Sequence, residues 1–150
     1  FPDSVTRIDG GAFSGCSSLT SGIFLGNSPK SFGYDRWARP FPATVFEGTA
    51  PDFSIYYLRG KGFTSPTWND YPETAIDSGP IFKDSKLSIS FLATLPGITL
   101  TPETSTDLQN WETEGVTLSE IGENNRRTAS VNGDLSSRSR YLRLRVESGM

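Results

Sequence analysis

The chain's 150 residues allow one domain or two small ones, and a hydrophobic fraction of 35 % with 12 % aromatics is enough for a packed core. It contains no histidine and a single cysteine, which excludes Ser-His-Asp and Cys-His catalysis, His-ligated zinc and an internal disulfide. A net charge of −3 offers nucleic acid no basic footprint, and no apolar run approaches the ~18 residues of a membrane span.

The chain opens on "FPDSV", with no initiator Met and no signal peptide, and is expected to be cut from a longer protein. "FPDSVTRIDG" (1–10) and "LGNSPKSFGY" (25–34) share an order of apolar, turn and acidic or amide residues at an offset of 24, with Ile8 falling on Phe32. A period of 20–29 residues with apolar side chains at fixed offsets predicts a leucine-rich solenoid. Val5, Ile8, Ala12, Phe13, Cys16 and Leu19 are expected to turn inward from the first coil, and Phe32 from the next.

"PDSVTRIDGGAFSGCSSLTS" (2–21) resembles the BspA-like leucine-rich repeat of bacterial surface proteins, whose pattern is close to P-x-S-V-T-x-I-x-x-x-A-F-x-x-C-x-x-L. "FLGNSP" (24–29) and "IYYLRGKGFTSPTWNDYPETAI" (55–76) are similar to the coil that closes such arrays, so the resemblance covers residues 1–76. It implies that Cys16 is a small buried residue on the coil, an inert thiol without a basic neighbour, and that Tyr57 and Phe63 are core and cap residues. Gly22 stands where the family has a β-branched inward residue, which is expected to thin that strand's packing, and Leu25 stands at a usually polar position.

Residues 34–43, "YDRWARPFPA", interrupt the repeat as an insertion. Arg36, Trp37, Arg39 and Phe41 are candidate ligand-binding residues, since a loop with exposed aromatics can hold a partner. The competing expectation folds Trp37 back over the solenoid flank. Trp68 is the other aromatic considered as a ligand platform. "GKGFTS" (60–65) lacks the spacing of a phosphate loop and reads as a turn.

Residues 77–85 are polar and are expected to form a linker. Beyond it the period changes to two. "KLSISFLA" (86–93), "GITLTPETS" (97–105), "VTLSEI" (116–121), "RRTASVN" (126–132) and "RYLRLRV" (140–146) read as short strands. Their spacing predicts a small antiparallel β-sandwich over 86–150. Leu142, Leu144 and Val146 are expected to point inward, and Tyr141, Arg143 and Arg145 outward. "STDLQNW" reads as a turn bent at Asp107 followed by a strand with Trp111 as core anchor. "GENNRR" and "NGD" are hairpin signals.

Ser105, Thr106, Asp107, Leu108 and Trp111, followed by Tyr141, Arg143 and Arg145, are similar to a β-module that closes many secreted bacterial proteins. That resemblance implies a cap, sorting or surface-attachment element. Glu103, Asp107, Glu112, Glu114, Glu120 and Glu123 precede six arginines between 126 and 145. The acids are expected to form a solvated face that pairs with the arginine strands. They lack the predicted burial that would raise one carboxyl for glycosidase chemistry. No calcium loop occurs. Arg138, Arg140, Arg143 and Arg145 are expected to be neutralised within the module, although a row of arginines can also meet an anionic surface.

The expected fold is therefore mainly β: a solenoid end over 1–76, a linker over 77–85 and a β-sandwich. The expected function is non-enzymatic adhesion or protein binding at the bacterial cell surface or outside the cell. No cofactor, metal, nucleic acid or membrane insertion is expected, and further repeats are expected upstream. The alternative is a carbohydrate-binding region of a larger secreted enzyme.

Overall fold

A computed structural model of the chain describes residues 1–35, 37, 39–64, 67–132 and 140–148. The chain is mainly β and divides into two compact units, Phe1–Ile76 and Asp77–Met150.

In the first unit the strands are β1 (Arg7–Asp9), β2 (Ser21–Phe24), β3 (Ser31–Tyr34), β4 (Ser54–Tyr57), β5 (Thr67–Trp68) and β6 (Tyr71–Ala75). A 3-10 turn at Pro42–Thr44 follows β3. β2, β4 and β6 lie side by side in parallel, with Phe24 beside Tyr57 and Tyr57 beside Ala75. β1 and β3 are also parallel, and Ile8 stands beside Phe32. Parallel neighbours need a long connection between them, and among the described residues the helical piece in these connections is the 3-10 turn at Pro42–Thr44. In-register pairing puts equivalent residues of successive strands on one face. Gly22 and Phe24 of β2, and Ile55 and Tyr57 of β4, are all buried. Phe1 extends the ladder by one position. Its ammonium donates to Ile23 O, its carbonyl accepts from Leu25 N–H, and its ring stacks on Phe24 at 4.5 Å.

The core of this unit is largely aromatic. Ile8, Phe24, Phe32, Val45, Phe46, Phe53, Ile55, Tyr57 and Trp68 are buried, with Val5, Phe13, Leu19 and Phe63 packed against them. Gly22 does not thin the packing. A methyl group there would sit 3.4 Å from Phe53 and 3.6 Å from Phe46, because rings fill the space a side chain would take. The Tyr71 hydroxyl ties the frame together, donating to Pro42 O and accepting from Phe46 N–H, each at 3.0 Å. Burial pushes this phenol above its ordinary pKa, so it stays a neutral donor.

Cys16 corrects the first-coil expectation: its side chain is exposed. The segment between β1 and β2 is a succession of tight turns, with Cys16 N–H donating to Phe13 O and Leu19 N–H donating to Cys16 O. Gly11 and Gly15, both at φ +74°, set their direction. Phe13 is drawn in by the rings of Phe1 and Phe46. Cys16, three residues on, falls on the outer side of the same turns.

The second unit comprises β7 (Asp77–Lys83), β8 (Lys86–Leu92), β9 (Ile98–Ser105), β10 (Val116–Leu118), β11 (Arg126–Asn132) and β12 (Tyr141–Ser148). One antiparallel sheet has the order β10-β11-β8-β7, and β12 pairs with β9 in a second. Ile89, Phe91, Ala129, Val131 and Leu142 form one buried cluster, with Leu87, Leu100, Val116 and Leu144 packed against it. Side chains from both sheets therefore share one interior.

Residues 77–85 are not a linker. They form β7 and the Asp84–Ser85 turn that joins it to β8. β7 is an edge strand, which is where a mid-strand proline is tolerated. Its register shifts between Asp77 and Pro80, next to Gly79 at φ +71°. Trp111 is not a core anchor. It is half-buried and outside the apolar cluster. Glu103, expected on a solvated face, is only 7 % exposed. "GENNRR" closes the β10–β11 hairpin through Gly122 N–H on Arg126 O. Gly133 and Asp134 of the "NGD" signal, and Arg138, lie outside the described residues.

Candidate functional site

Trp37, Arg39 and Phe41 lie on the segment that leaves β3 and returns to the 3-10 turn. Tyr34 and Pro40 form an isolated antiparallel bridge, and Phe41 N–H donates to Gly33 O. Asp35 N–H donates to Arg39 O at 3.0 Å. Within this narrow loop the Asp35 carboxylate accepts from Trp37 N–H at 2.8 Å, from Arg39 N–H at 2.9 Å and from Arg39 Nε at 2.8 Å. A side chain binding the backbone two residues on is the usual way aspartate closes a turn. Here it also grips the guanidinium of residue 39.

Desolvation works against the Asp35 charge, but the donors of Arg39 and Trp37 outweigh it and hold the carboxyl below its usual range. The sign is that of a depressed acid. The clasp is complete above the ordinary aspartate pKa of about 3.9 and is lost only as the pH falls through the lower folded value. Asp35→Ala is therefore expected to speed hydrogen exchange at the amides of Trp37 and Arg39 several-fold at neutral pH. The melting temperature of the unit should hardly change, because the loop is exposed.

The clasp presents a compact surface. Trp37 is 62 % exposed and Phe41 46 %. Between them the Arg39 guanidinium lies 5.0 Å from the Trp37 ring and 5.7 Å from the Phe41 ring, within cation–π range. Trp37 does not fold back over the flank, because the backbone that carries it is bonded to Asp35. Three of the five expected ligand residues thus come together: Trp37, Arg39 and Phe41. Arg36 lies outside the described residues.

Trp68 is not a platform; it is 7 % exposed. The Asn69–Asp70 turn, at φ 50° and 68°, folds β5 back on β6. The indole then lies against Phe32 at 4.4 Å and Phe63 at 4.8 Å. Asp35 was missed by sequence reasoning. Its signal was present in the spacing D-x-W-x-R, with an aspartate two residues before one amide it caps and four before the other.

A second assembly lies on the outer face of β9 and β12. The Asp107 carboxylate accepts from the amides of Gln109 and Asn110, each at 2.8 Å, and from the Asn110 side chain at 2.7 Å. The Asn110 and Gln109 amides hold Asp107 well below the usual carboxylate range. Trp111 Nε1–H donates to Leu108 O, and the indole lies 4.0 Å from the Arg143 guanidinium carbon.

An open groove in the second unit, lined by Leu100, Thr101, Pro102, Thr113, Val116 and Leu118, carries no titratable side chain. Among the described residues no three of His, Cys, Asp or Glu are grouped to hold a metal, and no helix is long and apolar enough to cross a membrane. The chain matches no family model, no curated protein and no solved structure.

Proposed function

We propose that the chain is a non-enzymatic binding module of a secreted or surface-attached bacterial protein, and that the Trp37–Arg39–Phe41 loop is its contact with a partner protein. The clasped loop is the observation that carries this reading. Exposed tryptophan and arginine are the residue types that dominate binding energy at protein interfaces. A loop already held in one shape loses less conformational freedom on binding.

Two further features support a leucine-rich solenoid end as the scaffold. Successive parallel strands repeat one residue per position, with Ile8 beside Phe32 and Phe24 beside Tyr57. The antiparallel β5–β6 hairpin ends the ladder on one side. On the other side Phe1 sits in line with β2. In the same reading the second unit is a β-sandwich that caps or attaches the chain.

The test is binding of the whole chain to an immobilised panel of extracellular-matrix proteins, run beside a glycan array. Saturable binding to a panel protein is expected, weakened about tenfold or more in Trp37→Ala, the scale of one interface hot spot. The exposed indole is also the one observation that favours a carbohydrate ligand, because sugars stack on flat aromatic faces. Binding confined to glycans and lost in Trp37→Ala would replace the protein-binding reading with that one. Retained protein binding in Trp37→Ala would move the contact off the loop.

A further inference from the structure

The S-T-D-L-x-x-W segment and the R-x-R strand lie far apart in sequence and meet on the outer face of the β9–β12 ribbon. Arg143 stands directly opposite Glu103, and Arg145 is opposite Thr101, on the diagonal. The Arg143 guanidinium donates twice to Glu103 Oε2, at 2.9 and 2.7 Å. Arg145 Nε reaches Glu103 Oε1 at 2.9 Å, and its Nη1 donates to Glu147 at 2.9 Å. The Trp111 ring packs against the Arg143 guanidinium at 4.0 Å. The tryptophan is positioned by the turn before it, where Ser105 Oγ accepts from the amides of Asp107 and Leu108. Thr104 exchanges both backbone bonds with Glu112 and donates its hydroxyl to Tyr141 O. The aspartate, serine, tryptophan and arginines of the motif are thus engaged with one another and with Glu103.

This arrangement answers a weakness of the ribbon. Among the described residues β12 is paired with β9 alone, and a two-stranded ribbon is marginal without side-chain support. Only Leu142 of β12 is fully buried; Leu144 and Val146 are half-buried. The inner face therefore anchors one end of the strand better than the other. Arg143 and Arg145 flank Leu144 on the opposite face, where the inner anchoring thins.

We propose that Glu103, Trp111, Arg143 and Arg145 form a latch that holds the last strand, and that the β9–β12 ribbon opens as a separate unit when the latch is broken. The motif is then a retaining device rather than a recognition epitope. Removing the buried Glu103 carboxylate takes from two half-exposed guanidiniums the acceptor that ties them across the ribbon. Local opening of the ribbon should follow without loss of the β8–β11 pairing.

Amide hydrogen exchange on the whole chain tests this. In Glu103→Gln, exchange should rise at least tenfold across 98–105 and 141–148 and stay unchanged across 86–92 and 126–132. Leu142→Ala removes a side chain from the shared interior and should raise exchange in both sheets together. Trp111→Phe keeps a ring over Arg143 but loses the bond to Leu108 O, and should give a smaller rise confined to the ribbon. If Glu103→Gln does not fold, Trp111→Phe decides alone. A uniform rise across both sheets in the latch variants, or no rise at all, overturns the proposal.

Discussion

Phe46→Ala is expected to unfold the first unit at moderate temperature while the second stays folded. Phe46 is 2 % exposed and stands at the centre of the aromatic core. Its ring meets Phe53 at 4.6 Å, Phe13 and Tyr71 at 5.3 Å, Phe32 at 6.1 Å and Phe1 at 6.5 Å. Truncating a buried phenylalanine costs about 3–5 kcal/mol, more where neighbours cannot close the gap. Closure is poor here, because one wall of the vacated space is Gly22, with no side chain to move in. A unit this small has a total stability near the lower end of about 5–15 kcal/mol. At ~4–8 °C per kcal/mol for a domain of this size, its melting temperature should fall by at least ~12 °C. Thermal melts followed by near-ultraviolet circular dichroism should resolve a transition that moves and one that does not. A shift under ~5 °C, or a common shift of both transitions, would place the stabilising packing elsewhere.

What the sequence made legible is what a single period can carry. Ile8 and Phe32 lie 24 residues apart and stand side by side, because parallel strands in register convert a fixed offset into spatial contact. Alternation in "KLSISFL" places Ile89 and Phe91 in the interior, and "YLRLRV" places Leu142 there, for the same reason. Cys16 was not legible. It sits in a run of turns with no period of its own, and a thiol is small enough to be left at the surface at little cost. Trp68 was misread because its burial follows from the Asn69–Asp70 turn. That signal says that the chain reverses, not which side the next ring faces. β7 was hidden because residues 77–85, which include Gly79 and Pro80, read as a polar linker. That glycine and proline are compatible with a strand that has one free edge.

Glu103 and Trp111 failed for a different reason, which is that their surroundings are non-local. The alternation in "ITLTPETS" does put Glu103 on the face away from the apolar interior. Its burial comes from arginines 40 or more residues later folding over it. Trp111 had two possible shelters, the interior or the guanidinium of Arg143, and a sequence does not rank them. In the first unit, the 34–43 loop was legible as an insertion rich in aromatics. The clasp that makes it a fixed surface depends on Asp35, an acid that looks ordinary in composition.

Gly33→Ala should weaken binding about tenfold or more without removing a contact residue. Gly33 is the next-to-last residue of β3 and lies at φ +71°, a conformation that costs other residues about 1–2 kcal/mol. Steric crowding is the larger obstacle. A methyl group would stand 2.2 Å from Pro42 Cα and 2.6 Å from Pro42 N. Both are backbone atoms, and Pro42 is held in turn by the Tyr71 hydroxyl. The loop must swing away from the 3-10 turn, and Phe41 and Arg39 go with it. Affinity for the matrix-protein probe should fall as far as in Trp37→Ala. The melting temperature of the first unit should fall by roughly 5–15 °C, from the backbone cost and the scale of ~4–8 °C per kcal/mol. Gly60→Ala is the matched control. Gly60 lies at φ +80° with no atom of the described residues within 4 Å of the added methyl, so it carries the backbone cost without moving the loop. Binding should survive in Gly60→Ala. Equal loss in the two variants would assign the effect to stability alone, and wild-type affinity in Gly33→Ala would show that a fixed loop is not what the partner recognises.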